Sequence, residues 1–184
     1  MPSAARAPIR HCRACGSAVQ YRVPEGDNRE RAVCIACATI HYENPNNVVG
    51  TLPVWGDQVL LCRRAIEPRY GLWTLPAGFL ELGETTAEGA LRETDEEAGV
   101  RVELGALFAV LNVVRVGQVH LFYLARMLDA TLKPGAETLE ARLFDEAAIP
   151  WDQIAFRTVR VTLQHFFDDR RAGRSGAVHV GDIG

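Results

Sequence analysis

Long apolar runs are missing from this sequence. No stretch approaches the roughly 20 residues that a transmembrane helix needs. The N-terminal segment MPSAARAPIR also lacks the apolar stretch of about 7–15 residues that a secretory signal contains. We therefore expect a cytoplasmic protein that has no membrane partner.

A basic excess is missing as well. The 184 residues include 20 Lys and Arg against 23 Asp and Glu, which gives a formal net charge of -3. Proteins that bind nucleic acid usually carry a basic surplus, because they must neutralise phosphates. The composition therefore argues against a nucleic-acid partner, and any anionic ligand would have to be held by local groups.

The composition changes along the chain. An arginine- and cysteine-bearing segment is followed by the connector HYENPNN, and alternating apolar stretches begin at Val48. A chain of this length holds one well-packed domain and a small appendage. We expect a small domain over residues 10–40, a larger one over 46–172 and a flexible, Gly- and Ser-rich tail over 173–184.

Four of the five cysteines occur as two C-x2-C pairs separated by eighteen residues, which is zinc-ribbon spacing. Residues 18–22 and 31–33 flank the turn-rich PEGDN, so a hairpin would bring the pairs together. A disulfide alternative needs an oxidising compartment, for which the sequence carries no export signal. The expected structural Zn²⁺ ligands are Cys12, Cys15, Cys34 and Cys37. Cys62 is expected to be a small buried residue.

Periodicity predicts a mixed α/β arrangement for the larger domain, with two helices and several strands. The helices are predicted at Thr86 to Ala98 and over a segment that ends near Ala172. The predicted strands are Val48–Trp55, Gln58–Arg63, Trp73–Leu75, Val100–Val114, Gln118–Arg126 and Ala141–Phe144.

The first of these helices has clear ends. Thr85 and Glu88 form the T-x-x-E pattern of a capping box, and Gly99 is a typical helix stop. Gly89, in the middle of the helix, costs about 1 kcal/mol against alanine, which suggests a close approach to the backbone there.

Acidic residues are concentrated here: GFLELGETTAEGALRETDEEAGV holds seven of them and one arginine. Glu93, Glu96 and Glu97 fall within one 100° arc, and the opposite, packing arc holds Ala87, Leu91, Thr94 and Ala98. A solvated charged face is the ordinary explanation. A bound divalent cation would instead make the clustering favourable, and hard oxygen ligands favour Mg²⁺ or Mn²⁺ over zinc.

The spacing of this segment resembles the Nudix box, G-x5-E-x7-R-E-U-x-E-E-x-G-U, where U is usually aliphatic. Seven fixed positions match, and Thr94 stands where an aliphatic residue is usual; the matching residues are Gly78, Glu84, Arg92, Glu93, Glu96, Glu97 and Gly99. The resemblance implies an α/β/α sandwich around a mixed sheet. It also implies Mg²⁺ bound by Glu93, Glu96, Glu97 and the Gly78 carbonyl, and a salt bridge between Glu84 and Arg92.

The resemblance leaves the general base open, because Nudix enzymes differ in the carboxylate that activates water. Glu96 in the box is one candidate. Glu140 and Glu137, expected on the loop before Arg142, are others, since similar enzymes bring a glutamate from that loop toward the metals.

Ribbon, box and the stretch HYENPNNVVG together resemble the zinc-ribbon Nudix hydrolases. That similarity implies hydrolysis of a nucleoside diphosphate linked to a second group, and FAD and ADP-ribose are the first candidate substrates. It also implies homodimerisation. The motif SQPWPFPxS of NADH-specific enzymes does not follow the box, so NADH and NAD-capped RNA rank lower. A catalytically silent metabolite sensor and an RNA decapping enzyme are further alternatives. Candidate phosphate or ring contacts are Arg63, Arg64, Arg69, Tyr70, Trp73 and Phe79.

Overall fold

The structure is a computed structural model that describes residues 7–184. The chain divides into two compact units between Pro45 and Asn46. Within the described range, no helix combines the length and apolarity needed to cross a bilayer.

The N-terminal unit is a three-stranded antiparallel sheet in the order β1-β2-β3. Its strands are β1 (Val19–Arg22), β2 (Arg31–Cys34) and β3 (Ile40–His41). The predicted hairpin is therefore present, since β1 and β2 pair on either side of the PEGDN turn. Its small interior includes Cys12, Ala32, Val33 and Cys34, which are all buried.

The second unit holds eight strands and two helices. The strands are β4 (Asn46–Trp55), β5 (Gln58–Arg64), β6 (Trp73–Thr74), β7 (Ala77–Phe79), β8 (Val102–Val113), β9 (Gln118–Met127), β10 (Thr138–Phe144) and β11 (His179–Asp182). The helices are α1 (Thr86–Ala98) and α2 (Arg157–Arg171), and short 3-10 turns occupy Val114–Val116, Glu146–Ala148 and Trp151–Gln153. The boundaries of α1 are those predicted from the sequence.

The sheet is mixed. Its strands run in the order β10-β5-β4-β9-β8-β11, and β6 and β7 pair with β5 and β4 respectively. The pairs β4–β9 and β8–β11 are parallel, whereas the other pairs are antiparallel.

The two faces of the sheet bury different clusters. Alternate residues of β5 point to opposite faces: Leu61 packs in one cluster with Leu163 of α2, and Leu60 packs in the other with Ala98 of α1. The helices therefore cover opposite faces, and the expected α/β/α sandwich is confirmed.

Strands β4 and β5 separate soon after their turn. They pair only at Val54 with Val59 and at Trp55 with Gln58. Beyond that point β6 pairs with β5 and β7 pairs with β4. A wedge-shaped gap therefore opens between β4 and β5. Gly50 permits the close approach of β7, because a Cβ there would lie 2.3 Å from the Pro76 carbonyl oxygen. Strand β7 was not predicted, since its three residues are read as loop from sequence alone.

Helix α1 begins and ends as predicted, but its packing face is rotated. Thr85 and Glu88 form the capping box, and Gly99 adopts φ 58° at the C-terminus. Leu91, expected to pack, is 36% exposed, whereas Gly89 and Glu97 are buried. A Cβ on Gly89 would lie 2.8 Å from Val49 Cγ2 and 2.7 Å from Glu84 Oε1, which explains the glycine.

The C-terminal segment differs from the expected flexible tail. Residues 179–182 form β11, which pairs in parallel with β8. His179 Nε2 lies 2.6 Å from Asp169 Oδ2 on α2, and Asn112 Nδ2 donates to Asp182 Oδ1 at 3.0 Å. Gly and Ser are concentrated in the turn that precedes β11. The composition of residues 173–184 therefore indicated the turn but not the strand that follows it.

A buried hydroxyl pair fixes α1 on the sheet. Thr94, at the usually aliphatic position of the box, lies 2.6 Å from Thr51 of β4 through their Oγ1 atoms, and both side chains are fully buried. The Thr94 hydroxyl also donates to the Ala90 carbonyl at 2.7 Å. Its polar atom is therefore satisfied from two sides.

The contact between Thr51 and Thr94 predicts that substitutions at the two positions have non-additive effects on the free energy of unfolding. Thr94→Val leaves the Thr51 hydroxyl buried without this partner and should destabilise the protein by about 1–3 kcal/mol. Thr51→Val should cost less, because Thr94 retains Ala90, and the double variant should be more stable than the sum of the single losses implies. Urea unfolding followed by tryptophan fluorescence measures this, since Trp55, Trp73 and Trp151 all lie in the second unit. Strictly additive losses would contradict the pairing.

Candidate active site

The four ribbon cysteines lie together at one end of the small sheet. Their sulfur atoms all lie within 4.8 Å of one another. Cys12 and Cys37 Sγ are 3.6 Å apart, and Cys15 Sγ lies 3.5 Å from the Sγ atoms of Cys34 and Cys37. The backbone amides of Ala36 and Cys37 point at Cys34 Sγ at 3.4 Å, and the Ala14 amide points at Cys12 Sγ at 3.4 Å.

This geometry fits a structural zinc ion. A tetrahedron with Zn–S bonds of about 2.3 Å has S···S edges of about 3.8 Å, close to the separations found here. The amide donors would stabilise thiolates. Cys62, in contrast, is a buried residue of the second unit, where burial raises the pKa of its thiol.

The Arg92 guanidinium connects the loop before α1 to the carboxylates of the helix. Its Nε and Nη2 donate to the two carboxylate oxygens of Glu84 at 3.0 and 2.8 Å. Its Nη1 donates to Glu93 at 2.8 Å and to Glu96 at 3.1 Å, and its Nη2 also reaches the Phe79 carbonyl at 3.1 Å. The implied Glu84–Arg92 salt bridge is therefore present, and it is bidentate.

Glu97 is the buried member of the acidic cluster. Its side chain points toward the wedge, where its Oε2 accepts a hydrogen bond from the Ala77 amide at 3.2 Å. The residue is only 7% exposed, and burial raises the pKa of this carboxyl to about 8, although the Ala77 amide opposes the shift. A nearby cation would stabilise the ionised form of this carboxyl group.

Glu93 lies beside Gly78 of β7. A Cβ on Gly78 would lie 2.3 Å from Glu93 Oε1, so a larger residue would displace this carboxylate. Burial raises the pKa of Glu93 and Arg92 opposes the shift, while the charges of Glu96 and Glu137 raise the pKa further. Gly78 of the box therefore leaves the space in which the Glu93 carboxylate lies.

The donor set suits a hard divalent cation. Hydrogen bonds engage Oε1 of Glu93, Oε2 of Glu96 and Oε2 of Glu97, which is one oxygen of each carboxylate. Within residues 7–184, only the four cysteines bring three or more ligand atoms to within 4.8 Å of one another. The carboxylates are more widely spread, and the Glu96 side chain, 58% exposed, has room to rotate toward the other two. The residues therefore fit Mg²⁺ or Mn²⁺ by chemistry and charge.

The loop between β9 and β10 is docked on the end of α1. The amides of Lys133 and Gly135 donate to the carbonyls of Ala98 and Glu97 at 2.8 and 3.4 Å. A Cβ on Gly135 would lie 1.9 Å from the Glu96 carbonyl oxygen, so this contact requires glycine. These bonds satisfy helix carbonyls that have no partner within the helix. They also hold Glu137 close enough for its charge to raise the pKa of Glu93 and Glu97.

The two candidate bases outside the box are placed differently. Glu137 precedes β10, and its carbonyl accepts from the Ala65 amide at 2.8 Å. Glu140, expected on the loop, instead lies within β10 opposite Arg63. Of the two, Glu137 is the residue whose charge raises the pKa of Glu93 and Glu97.

The candidate phosphate and ring contacts also separate. Arg64 is buried, its Nε donates to the Pro68 carbonyl at 2.9 Å, and its charge lowers the pKa of Glu97. Arg63 Nε donates to the Gly71 carbonyl at 2.9 Å. Trp73 is a core residue that packs edge-to-face on Phe144. Tyr70 and Phe79 are more than half exposed and remain available to a ligand.

The raised pKa of Glu97 predicts a pH-dependent stability when no divalent cation is added. A carboxyl whose pKa is raised in the folded state contributes full stability below about pH 4.5, and that stability is lost as pH rises through about 8. The total loss should be about 2–5 kcal/mol. Glu97→Gln should remove the loss, and added Mg²⁺ should reverse it in the wild type.

Thermal unfolding of both proteins between pH 5 and 9 measures this. Parallel pH profiles for the wild type and Glu97→Gln would show that the buried carboxyl is not the titrating group.

Comparison with known proteins yields two family matches. The NUDIX domain model matches residues 44–166, and the Nudix N-terminal zinc-ribbon model matches residues 10–43. The crystal structure of a NUDIX hydrolase from Nitrosomonas europaea has a TM-score of 0.91 and 47% identity, and the match covers 95% of this chain and 99% of that one.

Curated relatives are more distant. NAD-capped RNA hydrolase NudC of Vibrio atlanticus (strain LGP32) is 29% identical over 166 residues, which are 89% of this chain and 59% of that protein. The ADP-ribose pyrophosphatase of Methanocaldococcus jannaschii is 29% identical over 113 residues, which are 59% of this chain and 67% of the relative. The chain therefore spans little more than half the length of NudC. The two family matches, which run together from residue 10 to residue 166, show that this chain belongs to the Nudix hydrolase family.

Proposed function

We propose that the protein is a divalent-metal-dependent pyrophosphohydrolase for nucleoside diphosphates linked to a second moiety. FAD and ADP-ribose are the first candidates, and AMP is the expected product. The observation that carries this proposal is the buried carboxyl of Glu97 beside Glu93, because both carboxyl groups are destabilised as anions unless a cation is near.

The metal ligands would be Glu93, Glu96, Glu97 and the Gly78 carbonyl. Bound there, Mg²⁺ or Mn²⁺ would supply positive charge to the phosphate oxygens of the substrate. Arg92 positions Glu93 and Glu96, and Glu84 ties Arg92 to the preceding loop. The cysteines would hold Zn²⁺ as a structural ion, and a reducing compartment such as the cytoplasm would keep them from forming disulfides.

Glu137 is the preferred general base. Its loop is held on α1 through Gly135, and its charge raises the pKa of both Glu93 and Glu97. A base must lie within reach of the water whose proton it accepts. Glu96 remains the alternative within the box, and Glu140 the alternative in β10.

NAD-linked substrates are the second candidate, because the match to NudC covers 89% of this chain. The name of that relative includes NAD-capped RNA, whereas the net charge of -3 gives this chain no general attraction to RNA. A small NAD-type dinucleotide is therefore the preferred form of this alternative.

Product analysis distinguishes these candidates. Purified protein should release AMP from one or two members of a panel containing FAD, ADP-ribose, NADH, a dinucleoside polyphosphate and a nucleoside triphosphate, and only with added Mg²⁺ or Mn²⁺. Glu97→Gln should lower turnover by orders of magnitude, because it removes a metal-binding carboxylate. Glu137→Gln should lower kcat by about 10²–10⁴, whereas Glu140→Gln is the matched control and should change it little.

Near-normal turnover by Glu97→Gln would contradict the site. Binding of a nucleotide without cleavage by the wild type would favour the metabolite-sensor alternative. A large loss in Glu140→Gln with a small one in Glu137→Gln would assign the base to β10.

A further inference from the structure

Arg64 is a largely buried cation at the end of β5. The residue is 9% exposed, and its Nε donates to the Pro68 carbonyl at 2.9 Å. In the part of the chain that the structure describes, neither of its Nη atoms has a hydrogen-bond or salt-bridge partner, and both retain contact with solvent. The N–H groups of both Nη atoms are therefore free to donate. A guanidinium that is mostly withdrawn from water is stabilised by an anionic acceptor.

The loop after β5 and a neighbouring ring hold this side chain in place. The Arg64 amide donates to the Leu72 carbonyl at 2.9 Å, and the Gly71 amide donates to the Arg64 carbonyl at 2.9 Å. The guanidinium carbon lies 5.1 Å from the centre of the Phe156 ring. Contact with a ring uses the charge of the guanidinium but none of its N–H donors. The guanidinium is therefore positioned while its Nη atoms stay free.

Arg64 leaves the sheet on the face that α1 covers. Alternate residues of a strand point to the same face. Leu60 and Cys62 belong to the cluster that also contains Ala98 of α1, and Arg64 is the next residue in this alternation. Its side chain therefore begins on the same side of the sheet as the carboxylates of α1.

Backbone hydrogen bonds connect Arg64 to Glu97. Thr138 of β10 pairs with Arg64, and its amide donates to the Gly135 carbonyl at 3.1 Å. The Gly135 amide in turn donates to the Glu97 carbonyl at 3.4 Å. In agreement with this arrangement, the charge of Arg64 lowers the pKa of Glu97. The guanidinium therefore lies within electrostatic reach of the carboxylate cluster.

Arg92, the arginine within the cluster, has no donor left for a ligand. Its Nε and both Nη atoms make five hydrogen bonds, to three carboxylates and one carbonyl of the protein. An arginine side chain has five N–H donors in all. Arg92 therefore fixes the carboxylates, and Arg64 is the cation beside them whose donors are unused.

We propose that Arg64 is a substrate-binding residue whose Nη atoms donate to oxygens of the substrate diphosphate beside the carboxylate cluster. The inference rests on the proposed function. The planar fork of arginine matches two phosphate oxygens at once. The carboxylates alone would repel a phosphate, and Arg64 supplies a fixed positive group on their side of the sheet.

The test measures the binding of methylenediphosphonate, a diphosphate analogue whose P–C–P bridge is not hydrolysed, to the full chain in excess Mg²⁺. Isothermal titration calorimetry gives the dissociation constant. Arg64→Lys retains the charge but loses the planar fork. It should raise the dissociation constant by about fivefold or more, and it should lower kcat/KM for the cleaved nucleotide by a similar factor.

Arg160→Lys is the matched control. The Arg160 guanidinium carbon lies 5.7 Å from the centre of the Trp151 ring, and its Nη2 donates to the Trp151 carbonyl. This arrangement is similar to that of Arg64, but Arg160 belongs to α2, which covers the other face of the sheet. Both substitutions should lower the thermal midpoint, and only Arg64→Lys should weaken binding of the analogue.

Equal affinity of Arg64→Lys and the wild type for the analogue would overturn the assignment, as would an equal loss in Arg160→Lys. Binding that depends on Arg64, in a protein that cleaves none of the tested nucleotides, would support the assignment while the proposed function fails. Metal-dependent cleavage with the same kcat/KM in Arg64→Lys and the wild type would do the reverse.

Discussion

The bidentate salt bridge between Arg92 and Glu84 is the interaction on which the acidic cluster depends. Glu93, Glu96 and Glu97 lie close together on one helix, where like charges repel. Arg92 places a single cation among them and fastens it to the loop through Glu84 and the Phe79 carbonyl. That contact in turn sets β7 against the helix, so that Gly78 faces Glu93 and the Ala77 amide reaches Glu97.

The pKa values of two glutamates in the same motif are shifted in opposite directions by their surroundings. Arg92 lowers the pKa of Glu84 to about 2, so this carboxylate stays ionised and serves as an anchor. Burial raises the pKa of Glu97 to about 8, so its ionised form is unfavourable unless a cation lies nearby. A pair of groups whose pKa values are separated in this way is typical of sites that carry both positioning and chemical roles.

The sequence predicted the features that depend on local chemistry. The limits of α1, its capping box and its glycine stop follow from residues within one turn of each other. Features fixed by distant parts of the chain were missed. The rotated packing face of α1 depends on Val49 of β4, and β11 depends on pairing with β8. None of these contacts has a signature within a single window of sequence.

In the proposed function, the carboxylates of α1 hold a divalent cation, which takes the place of the proton on Glu97. The most direct measurement is the affinity for Mn²⁺, followed by the electron paramagnetic resonance of the free ion between pH 5.5 and 9, for the wild type and for Glu97→Gln. Wild-type affinity should rise with pH until about pH 8, because the ion must displace the proton of Glu97, and Glu97→Gln should bind weakly with a flatter profile. A wild-type affinity that does not change with pH, or equally tight binding by Glu97→Gln, would contradict the account.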